Sequence, residues 1–391
     1  MAVTETITES WGSRLGGSIK GVLAGGLIFL AGFPILFWNE GNAVKTAKAI
    51  DEGEGACVSL ESNAKADPEM EGKLVHLTGK ADTKDVLADT EFGVSNVAIR
   101  LERKVEMFQW VEDSKTQEKK KVGGSVEKKI TYSYRQAWMD HLVDSSVFND
   151  KDPKYNNPGV MPYQSQTWEA SNVTFGDFHL SEKQISKIGS AKPFTFPESF
   201  TCNVARVQIR GATIFVPEEN TRTNEKNNRD VASQPRTGDM RVNYSIVLPH
   251  DVSIIAKQQG KTFVDYTAKN GKKLNYLANG IEDAAAMFAT ARSNNAIMTW
   301  LIRLGGFIVM FIGLGMVFKP ISVLADVLPI LGDIVEIGTG IVAGVISFVC
   351  ALATIAVAWI FYRPVMGILL LVAAGALVFW LIKKRRAKAQ V

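Results

Sequence analysis

Four stretches of this chain are apolar over about the length that a membrane-spanning helix needs. They are residues 21–38, 297–318, 338–362 and 365–382. About 20 apolar residues in a helix cross the roughly 30 Å hydrocarbon core of a bilayer. Lys, Arg, Asp and Glu are absent from all of them except the second, which contains Arg303. The pattern therefore predicts four transmembrane helices, with Arg363 and Pro364 forming a tight turn between the last two.

The first stretch has a second interpretation as a secretory signal peptide. Its apolar run is longer than the run of about 7–15 residues in such peptides, and no small-x-small cleavage site follows it. We therefore predict an uncleaved anchor at residues 21–38.

Basic residues near the spans predict their orientation, because cytoplasmic flanks carry an excess of Lys and Arg. The tail 383–391 begins with two lysines and two arginines, and Arg14 and Lys20 precede the first span. Residues 1–20, 319–337 and 383–391 are therefore predicted on the cytoplasmic side. The long region 39–296 is predicted on the extracytoplasmic, or luminal, side. Arg303 is a weaker signal in the opposite sense.

Region 39–296 contains segments in which apolar and polar residues alternate. The alternation is regular at 97–111 and returns at 130–134, after a tip rich in lysine and glycine. A period of two predicts half-buried strands, so these segments predict a long hairpin. Further strands are predicted at 74–78, 204–216, 240–247, 252–256 and 262–266, a loop at 217–238, and a helix at 281–299 that continues into the second span. The predicted fold class is α+β, a multi-pass membrane protein with a large β-rich domain between helices 1 and 2.

Composition and charge limit the partners. The chain is 46% hydrophobic, which excludes a disordered protein. Its net charge of +4 comes from the tail, because Lys383, Lys384, Arg385, Arg386 and Lys388 alone contribute +5. Region 39–296 therefore offers no basic surface for nucleic acid.

The sequence contains no motif typical of catalysis or metal binding. Gly260-Lys261-Thr262 resembles the end of a phosphate-binding loop, but Ile255 stands where that loop needs its first glycine. Asp140-His141 could be half of an acid–base pair, but adjacent residues on a helix point apart, so the interpretation that we favour is a surface or hydrogen-bonded histidine. We predict no catalytic, cofactor-binding or metal-ligating residue, no cofactor and no enzyme. Whether Cys57 and Cys202 pair is left open.

Three acidic residues interrupt the segment 319–337. The spacing of Asp326, Asp333 and Glu336 places them roughly on one helical face, and Pro329 and Gly332 would break or bend the helix. Ionisable residues at membrane depth mark ion pathways, so one interpretation is a re-entrant, ion-lining segment. The interpretation that we favour is an interfacial helix with its acidic face in the cytoplasm.

Glycines recur every four residues near two of the spans. They are Gly17, Gly21 and Gly25 at the first span and Gly340 and Gly344 in the third. Small residues at this spacing let two helix backbones approach closely. They are candidates for helix packing within one chain or for self-association.

Six short motifs, in order, resemble those of one family. They are Asn39-Glu40-Gly41, Glu71-Gly72-Lys73-Leu74-Val75-His76, Val105-Glu106-Met107-Phe108-Gln109-Trp110, Tyr132-Ser133-Tyr134, Gly238-Asp239-Met240-Arg241-Val242 and Phe361-Tyr362-Arg363-Pro364. On these motifs the sequence resembles the transmembrane protein 43 family, also called LUMA. The resemblance implies four spans, one large luminal domain and no catalytic residues. It also implies self-associating organisers of the endoplasmic reticulum and inner nuclear membrane that engage lamins and emerin.

The overall style of the sequence favours a bacterial member, which would lie in the bacterial inner membrane, where lamins are absent. The function that we favour is a non-enzymatic scaffold that self-associates and organises membrane protein complexes. Its expected partners are membrane lipids, further copies of the chain and other membrane proteins. A lipid-binding or lipid-processing protein is the first alternative. A channel or transporter is the second, and the uncharged spans argue against it.

Overall fold

The structure is a computed structural model that describes residues 3–60, 65–218 and 230–365, together with residue 369. Three of its helices are long, and each contains one predicted span. The α-helices are α1 (Trp11–Ala56), α2 (Glu182–Ile185), α3 (Ala284–Ala325) and α4 (Pro329–Tyr362). By length and composition α1, α3 and α4 could each cross a membrane. The fourth predicted span, 365–382, lies outside the described residues except for positions 365 and 369, and the tail 383–391 lies outside them entirely.

The long helices extend well beyond the predicted spans. Helix α1 begins after Ser10, whose hydroxyl accepts a hydrogen bond from the Ser13 N–H, and it continues through Pro34 to the edge of the β-rich region. Helix α3 begins after Asp283, whose carboxylate caps the Ala286 N–H at 2.7 Å. The predicted continuation of a helix at 281–299 into the second span is confirmed. Both caps are side-chain acceptors for backbone N–H groups that the first helical turn leaves unpaired.

The strands form two main sheets and two small hairpins. In chain order they are β1 (Val3–Glu9), β2 (Val58–Ser59), β3 (Leu74–Thr83), β4 (Val86–Asp89), β5 (Val94–Val97), β6 (Arg100–Lys120), β7 (Val126–Met139), β8 (Gln166–Glu169), β9 (Val173–Phe175), β10 (Phe178–His179), β11 (Lys192–Pro193), β12 (Gln208–Arg210), β13 (Thr213–Val216), β14 (Met240–Val247), β15 (His250–Gln259), β16 (Thr262–Val264), β17 (Tyr266–Thr267), β18 (Lys273–Leu274) and β19 (Tyr276–Asn279).

The first sheet has the order β1-β7-β6-β14-β13-β12, with β8 on β6 and β11 on β14. Strands β6 and β7 form the long hairpin that the alternating pattern predicts, paired from Met107 opposite Met139 to Lys120 opposite Val126. Strand β14 pairs with β6 only as far as Met107, so the outer part of the hairpin projects from the sheet. We call this outer part, residues 108–138, together with β1, the ribbon.

The second sheet has the order β19-β15-β16-β10-β9-β3-β2. Because β3 also pairs with β15, the five strands from β15 to β3 form a closed sheet. Buried side chains of this closed sheet and of the first sheet belong to one hydrophobic core, which includes Leu77, Phe175, Ile254 and Leu101. The structure is thus α+β, as predicted.

Two predicted strands are divided in the structure. The segment 262–266 forms β16 and the start of β17, which belong to different sheets. The segment 204–216 forms β12 and β13, joined at Gly211, where φ is +58°. Glycine adopts this left-handed conformation without steric cost, so it permits the tight reversal. The described parts of the predicted loop 217–238 contain no helix or strand.

The β-rich region packs on one end of the long helices. A small core joins Ile50 of α1, Met287 and Phe288 of α3, and Leu74 and Ile255 of the second sheet. This contact fixes α1 and α3 to the sheet. We call the end of the helix bundle at this contact the domain end.

Candidate functional site

Helices α1 and α3 run antiparallel, and glycines bring their backbones together. A Cβ added to Gly25 would lie 2.6 Å from the Gly313 carbonyl oxygen, and one added to Gly313 would lie 2.4 Å from the backbone nitrogen of Phe29. Gly32 and Gly306 make similar approaches to the side chains of Met310 and Leu36. Distances this short leave no room for a side chain, so Gly25 and Gly313 are required for the crossing.

The other glycines named from the sequence are placed differently. A Cβ on Gly344 would make ordinary contact, 3.7 Å, with the Phe311 ring, and one on Gly21 would reach only Met316 at 3.9 Å. Gly17 and Gly340 have no such neighbour within 4 Å. Gly17, Gly21 and Gly340 instead line a cleft of about 530 Å³ between α1, α3 and α4.

A buried ion pair closes the bundle at the domain end. The Glu40 carboxylate, which is fully buried, accepts hydrogen bonds from Arg303 at 2.6 and 2.8 Å and from the Trp359 indole at 2.7 Å. Trp300 and Trp359 also lie against the Arg303 guanidinium, 4.7 and 5.7 Å from its central carbon. Each helix of the bundle thus contributes to one satisfied charge cluster.

The opposite end of the bundle holds the acidic residues named from the sequence. Asp326 lies in the turn between α3 and α4, with only 2% of its side chain exposed, and it pairs with Arg14 of α1 at 2.5 Å. Asp333 and Glu336 lie on the first turns of α4. The segment 319–337 is therefore the turn of a helical hairpin and not a separate helix.

A lysine from the hairpin tip joins these three carboxylates. The Lys120 ammonium lies 2.9 Å from Asp326, 2.9 Å from Asp333 and 2.8 Å from Glu336. Lys319 holds the other oxygen of Glu336 at 2.8 Å. Burial lowers the pKa of Lys120, but the hydrogen bonds with Glu336, Asp326 and Asp333 outweigh it and raise that pKa above its usual value. Three cations, Lys120, Lys319 and Arg14, thus balance the three carboxylates. We call these six residues the ionic cluster.

Backbone contacts fix the hairpin tip at the same place. The Gly123 N–H donates to the Val327 carbonyl at 3.0 Å, and the Gly124 carbonyl accepts from Arg14 at 2.7 Å. The Trp11 indole packs against Gly124 and donates to the Val323 carbonyl at 2.8 Å. Gly123 and Gly124 both have positive φ, which glycine adopts without steric cost. They therefore permit a tight turn that packs closely against Trp11.

The chain before α1 also joins the hairpin. Strand β1 pairs antiparallel with β7 from Val3 opposite Tyr132 to Glu9 opposite Val126. Lys128 holds Glu9 at 3.1 Å, and the Tyr132 hydroxyl donates to Glu5 at 3.3 Å. The structure therefore pairs the segment predicted as cytoplasmic with part of the region predicted on the other side of the membrane.

Local sequence pattern does not identify the basic partners of the ionic cluster. It places Lys120 in the hairpin tip rich in lysine and glycine, and it makes Arg14 an orientation signal before the first span. One signal for these partners is charge balance. Three acidic residues in an apolar segment need cations from another part of the chain, because buried charges are paired. The sequence could not show which of many lysines supplies them.

A second buried polar group lies inside the β-rich region. Asp89 accepts hydrogen bonds from Arg103 at 2.7 Å and from the Tyr244 hydroxyl at 2.5 Å, and Phe92 stacks against the guanidinium. Among the described residues, no buried side-chain atom of Asp89, Arg103 or Tyr244 lacks a hydrogen-bond partner, as a structural network requires. In contrast, His141 and Asp140 meet at 2.8 Å in a bend on the surface, so their side chains do not point apart as predicted for a helix. Within the described residues, no group of His, Cys, Asp or Glu is placed to hold a metal.

Comparison with known proteins assigns the family. The family model described as transmembrane protein 43 matches residues 107–364, which is more than half of the chain. The chain belongs to the transmembrane protein 43 family. This confirms the resemblance drawn from the six motifs, and together with the apolar helices it makes the chain a membrane protein.

Curated relatives in this family cover almost the whole chain. Transmembrane protein 43 of Rattus norvegicus is 34% identical over 367 residues, which are 91% of this chain and 88% of the relative. Transmembrane protein 43 of Homo sapiens is 33% identical over 387 residues, 96% of this chain and 92% of the relative. The transmembrane protein 43 homolog of Drosophila melanogaster is 27% identical, with coverage of 97% and 96%. No solved structure matches the chain.

Proposed function

We propose that this protein is a non-enzymatic membrane scaffold that self-associates and organises other membrane proteins. In this proposal four spans anchor the β-rich domain on the extracytoplasmic or luminal side. The membrane is the bacterial inner membrane in a bacterium, or the endoplasmic reticulum and inner nuclear membrane in a eukaryote. Partners are lipids, further copies of the chain and other membrane proteins.

The cleft carries this proposal. Gly25 and Gly313 are buried where α1 crosses α3. In contrast, Gly17, Gly21 and Gly340 line an open surface that the described residues leave unfilled. Small residues on an open helix face are the usual surface for a second membrane helix. Self-association through this face would cover the cleft without disturbing the packing within the chain.

The matched variants are Gly21→Ile and Gly16→Ile. Residues 17 and 21 lie on one face of α1, whereas residue 16 lies about 100° away from residue 17 around the helix. A Cβ at Gly16 meets nothing within 4 Å, so its substitution is tolerated within the chain. Native mass spectrometry of the full chain in detergent should show oligomers in the wild type and Gly16→Ile, and mainly monomers in Gly21→Ile. Unchanged oligomers in Gly21→Ile would contradict the proposal.

A lipid-binding role has one observation in its favour, which is the composition of the same cleft. Its walls include Ile312 and Met316, while Ser18, Lys319 and Thr339 lie among its polar lining residues. An apolar groove with a few polar groups suits an acyl chain and its headgroup. If this alternative holds, the same spectra should show a retained phospholipid in the wild type that Gly21→Ile loses, with the oligomer unchanged.

A further inference from the structure

The ribbon is about as long as the part of α1 that lies between its two buried ion pairs. From Met107, where β14 ends its pairing with β6, to Lys120 at the tip, the strand rises about 43 Å at about 3.3 Å per residue. From Arg14 to Glu40, helix α1 rises about 39 Å at about 1.5 Å per residue. The domain packs at the Glu40 end and the tip contacts Arg14, so the ribbon extends past the whole apolar part of the bundle.

The ribbon cannot share the depth of a bilayer with these helices. Its strands carry charged residues throughout, among them Glu112, Lys115, Lys119 and Lys129, and most of β1 is exposed. Beyond Trp110, whose backbone bonds to Asn157, no described strand pairs with the outer edge of β6. Charged side chains and unpaired backbone groups are both strongly unfavourable in hydrocarbon.

A bundle lying flat on the membrane surface does not resolve the conflict. Helices in that position need a charged face toward water. Residues 21–38, 304–318 and 338–362 contain no Lys, Arg, Asp or Glu, and large apolar side chains such as Leu23, Ile308 and Val345 are exposed on all three helices. Helices that are apolar all round need lipid on every free face.

We propose that the hairpin tip is a releasable clasp. The ionic cluster holds it on the helix ends in the closed state, which this structure shows. This state is transient, because the apolar helices stay out of lipid only until the bundle enters a bilayer. When the bundle spans the bilayer, the tip detaches from the helix ends, and β7 separates from β1, which stays joined to the start of α1. The clasp proposal requires that the three helices insert into a membrane. It does not require that the protein self-associates.

The contacts at the tip fit a reversible attachment. Most of them are polar, made by Lys120, Arg14 and the backbone of two glycines, and water or lipid headgroups can replace such contacts on each side. Release leaves Asp326, Asp333 and Glu336 without Lys120 at the helix ends. It also frees the lysines of the tip, so both charged surfaces become available to partners only after insertion.

A disulfide across the clasp tests the closed state. A Cβ at position 124 would lie 3.1 Å from the Cβ of Trp11, so a shift of a few tenths of an ångström brings the two to the separation of about 3.5–4.5 Å found in disulfides. The test variant is Trp11→Cys with Gly124→Cys in the full chain, with Cys57, Cys202 and Cys350 replaced by alanine. The control is Ser322→Cys with Thr339→Cys, which joins α3 to α4 at the same end, where the two hydroxyl oxygens are 3.0 Å apart.

Each variant is synthesised without vesicles and, in parallel, with vesicles of phosphatidylcholine and phosphatidylglycerol, and is then oxidised. The inserted protein is the fraction that resists alkaline extraction. The control disulfide should form in both preparations. The clasp disulfide should form without vesicles and fall at least tenfold in the inserted protein. Equal yields in both preparations, or no clasp disulfide in either one, would overturn the proposal.

Labelling of single cysteines supplies a test that does not depend on the disulfide. Val122 at the tip and Val160 in the domain are both exposed, so Val122→Cys and Val160→Cys can react with a membrane-impermeant maleimide in sealed vesicles. Release predicts that both are labelled from the same side. If Val122→Cys is labelled from the opposite side, the tip has stayed at the far helix ends. That result would contradict the clasp proposal whether or not the disulfide variant folds.

Discussion

Arg303 of α3 holds both carboxylate oxygens of Glu40 of α1, at 2.6 and 2.8 Å, and the Trp359 indole of α4 donates to the same carboxylate. Glu40 is fully buried and the Arg303 side chain is only 13% exposed. One carboxylate therefore connects all three long helices, through residues that are far apart in the sequence.

Loss of this carboxylate should destabilise the bundle strongly. Glu40→Gln leaves the Arg303 charge buried without its partner, and breaking a buried pair in this way costs about 3–5 kcal/mol. We expect a large fall in the thermal unfolding midpoint of the detergent-purified protein. Glu54→Gln is the control, because its pair with Arg292 is exposed and should contribute little. Similar midpoints for the two variants would show that the buried pair is not the stronger contact.

Two glycines of α3 should differ sharply in their tolerance of alanine. The Cβ of Gly313→Ala would meet backbone atoms of Phe29 and Gly25 within 2.8 Å, and backbone cannot rotate away. Overpacking of this kind costs roughly 1–3 kcal/mol. Gly315→Ala, two residues later, meets nothing within 4 Å and should be neutral or slightly stabilising, because alanine favours helix. Circular dichroism during thermal unfolding measures both, and an unstable Gly315→Ala would contradict this explanation.

Local sequence pattern could predict two kinds of element. These are helices that are apolar over the length of a membrane span, and strands in which apolar and polar residues alternate. The three described spans and the β6–β7 hairpin follow directly from apolar length and from a period of two. The strand 204–216 was predicted as one element because its apolar residues continue across Gly211. Sequence alone could not show that this glycine has a positive φ.

The candidate sites depended on contacts between distant segments, which local pattern does not encode. Gly25 is named from the sequence as a candidate for packing within the chain or for self-association. In the structure it packs against Gly313, which belongs to no four-residue glycine repeat. The acidic residues were found, whereas Lys120 and Arg14 were not recognised as their partners. Pairing of β1 with β7 was missed because residues 3–9 alternate only weakly between apolar and polar.

Tyr244 should make the stability of the β-rich domain fall at alkaline pH. Burial and the hydrogen bond to Asp89 raise the pKa of Tyr244 well above its usual value. Above about pH 10 the unfolded chain loses this proton while the folded chain keeps it. The free energy of unfolding therefore falls as pH rises, by up to about 1.4 kcal/mol per pH unit, and the contribution is constant below pH 10.

The comparison with Tyr244→Phe isolates this effect. The variant should lose about 1–3 kcal/mol at neutral pH, because Asp89 loses a hydrogen-bond donor in a buried site. It should then show a smaller decline between pH 10 and pH 11 than the wild type in urea unfolding followed by tryptophan fluorescence. Parallel declines in the two proteins would mean that Tyr244 does not titrate differently on unfolding.

Cys57 should be a free thiol of low reactivity. Cys57 and Cys202 are both free in the structure, so an oxidised pair is not expected. Burial raises the pKa of Cys57 to about 11, and the thiolate that reacts with alkylating agents is therefore scarce at neutral pH. At pH 7.5 iodoacetamide should modify Cys57 at least tenfold more slowly in the folded protein than in urea, as measured by peptide mass spectrometry. Equal rates, or a peptide in which Cys57 is linked to Cys202, would contradict the burial of this thiol.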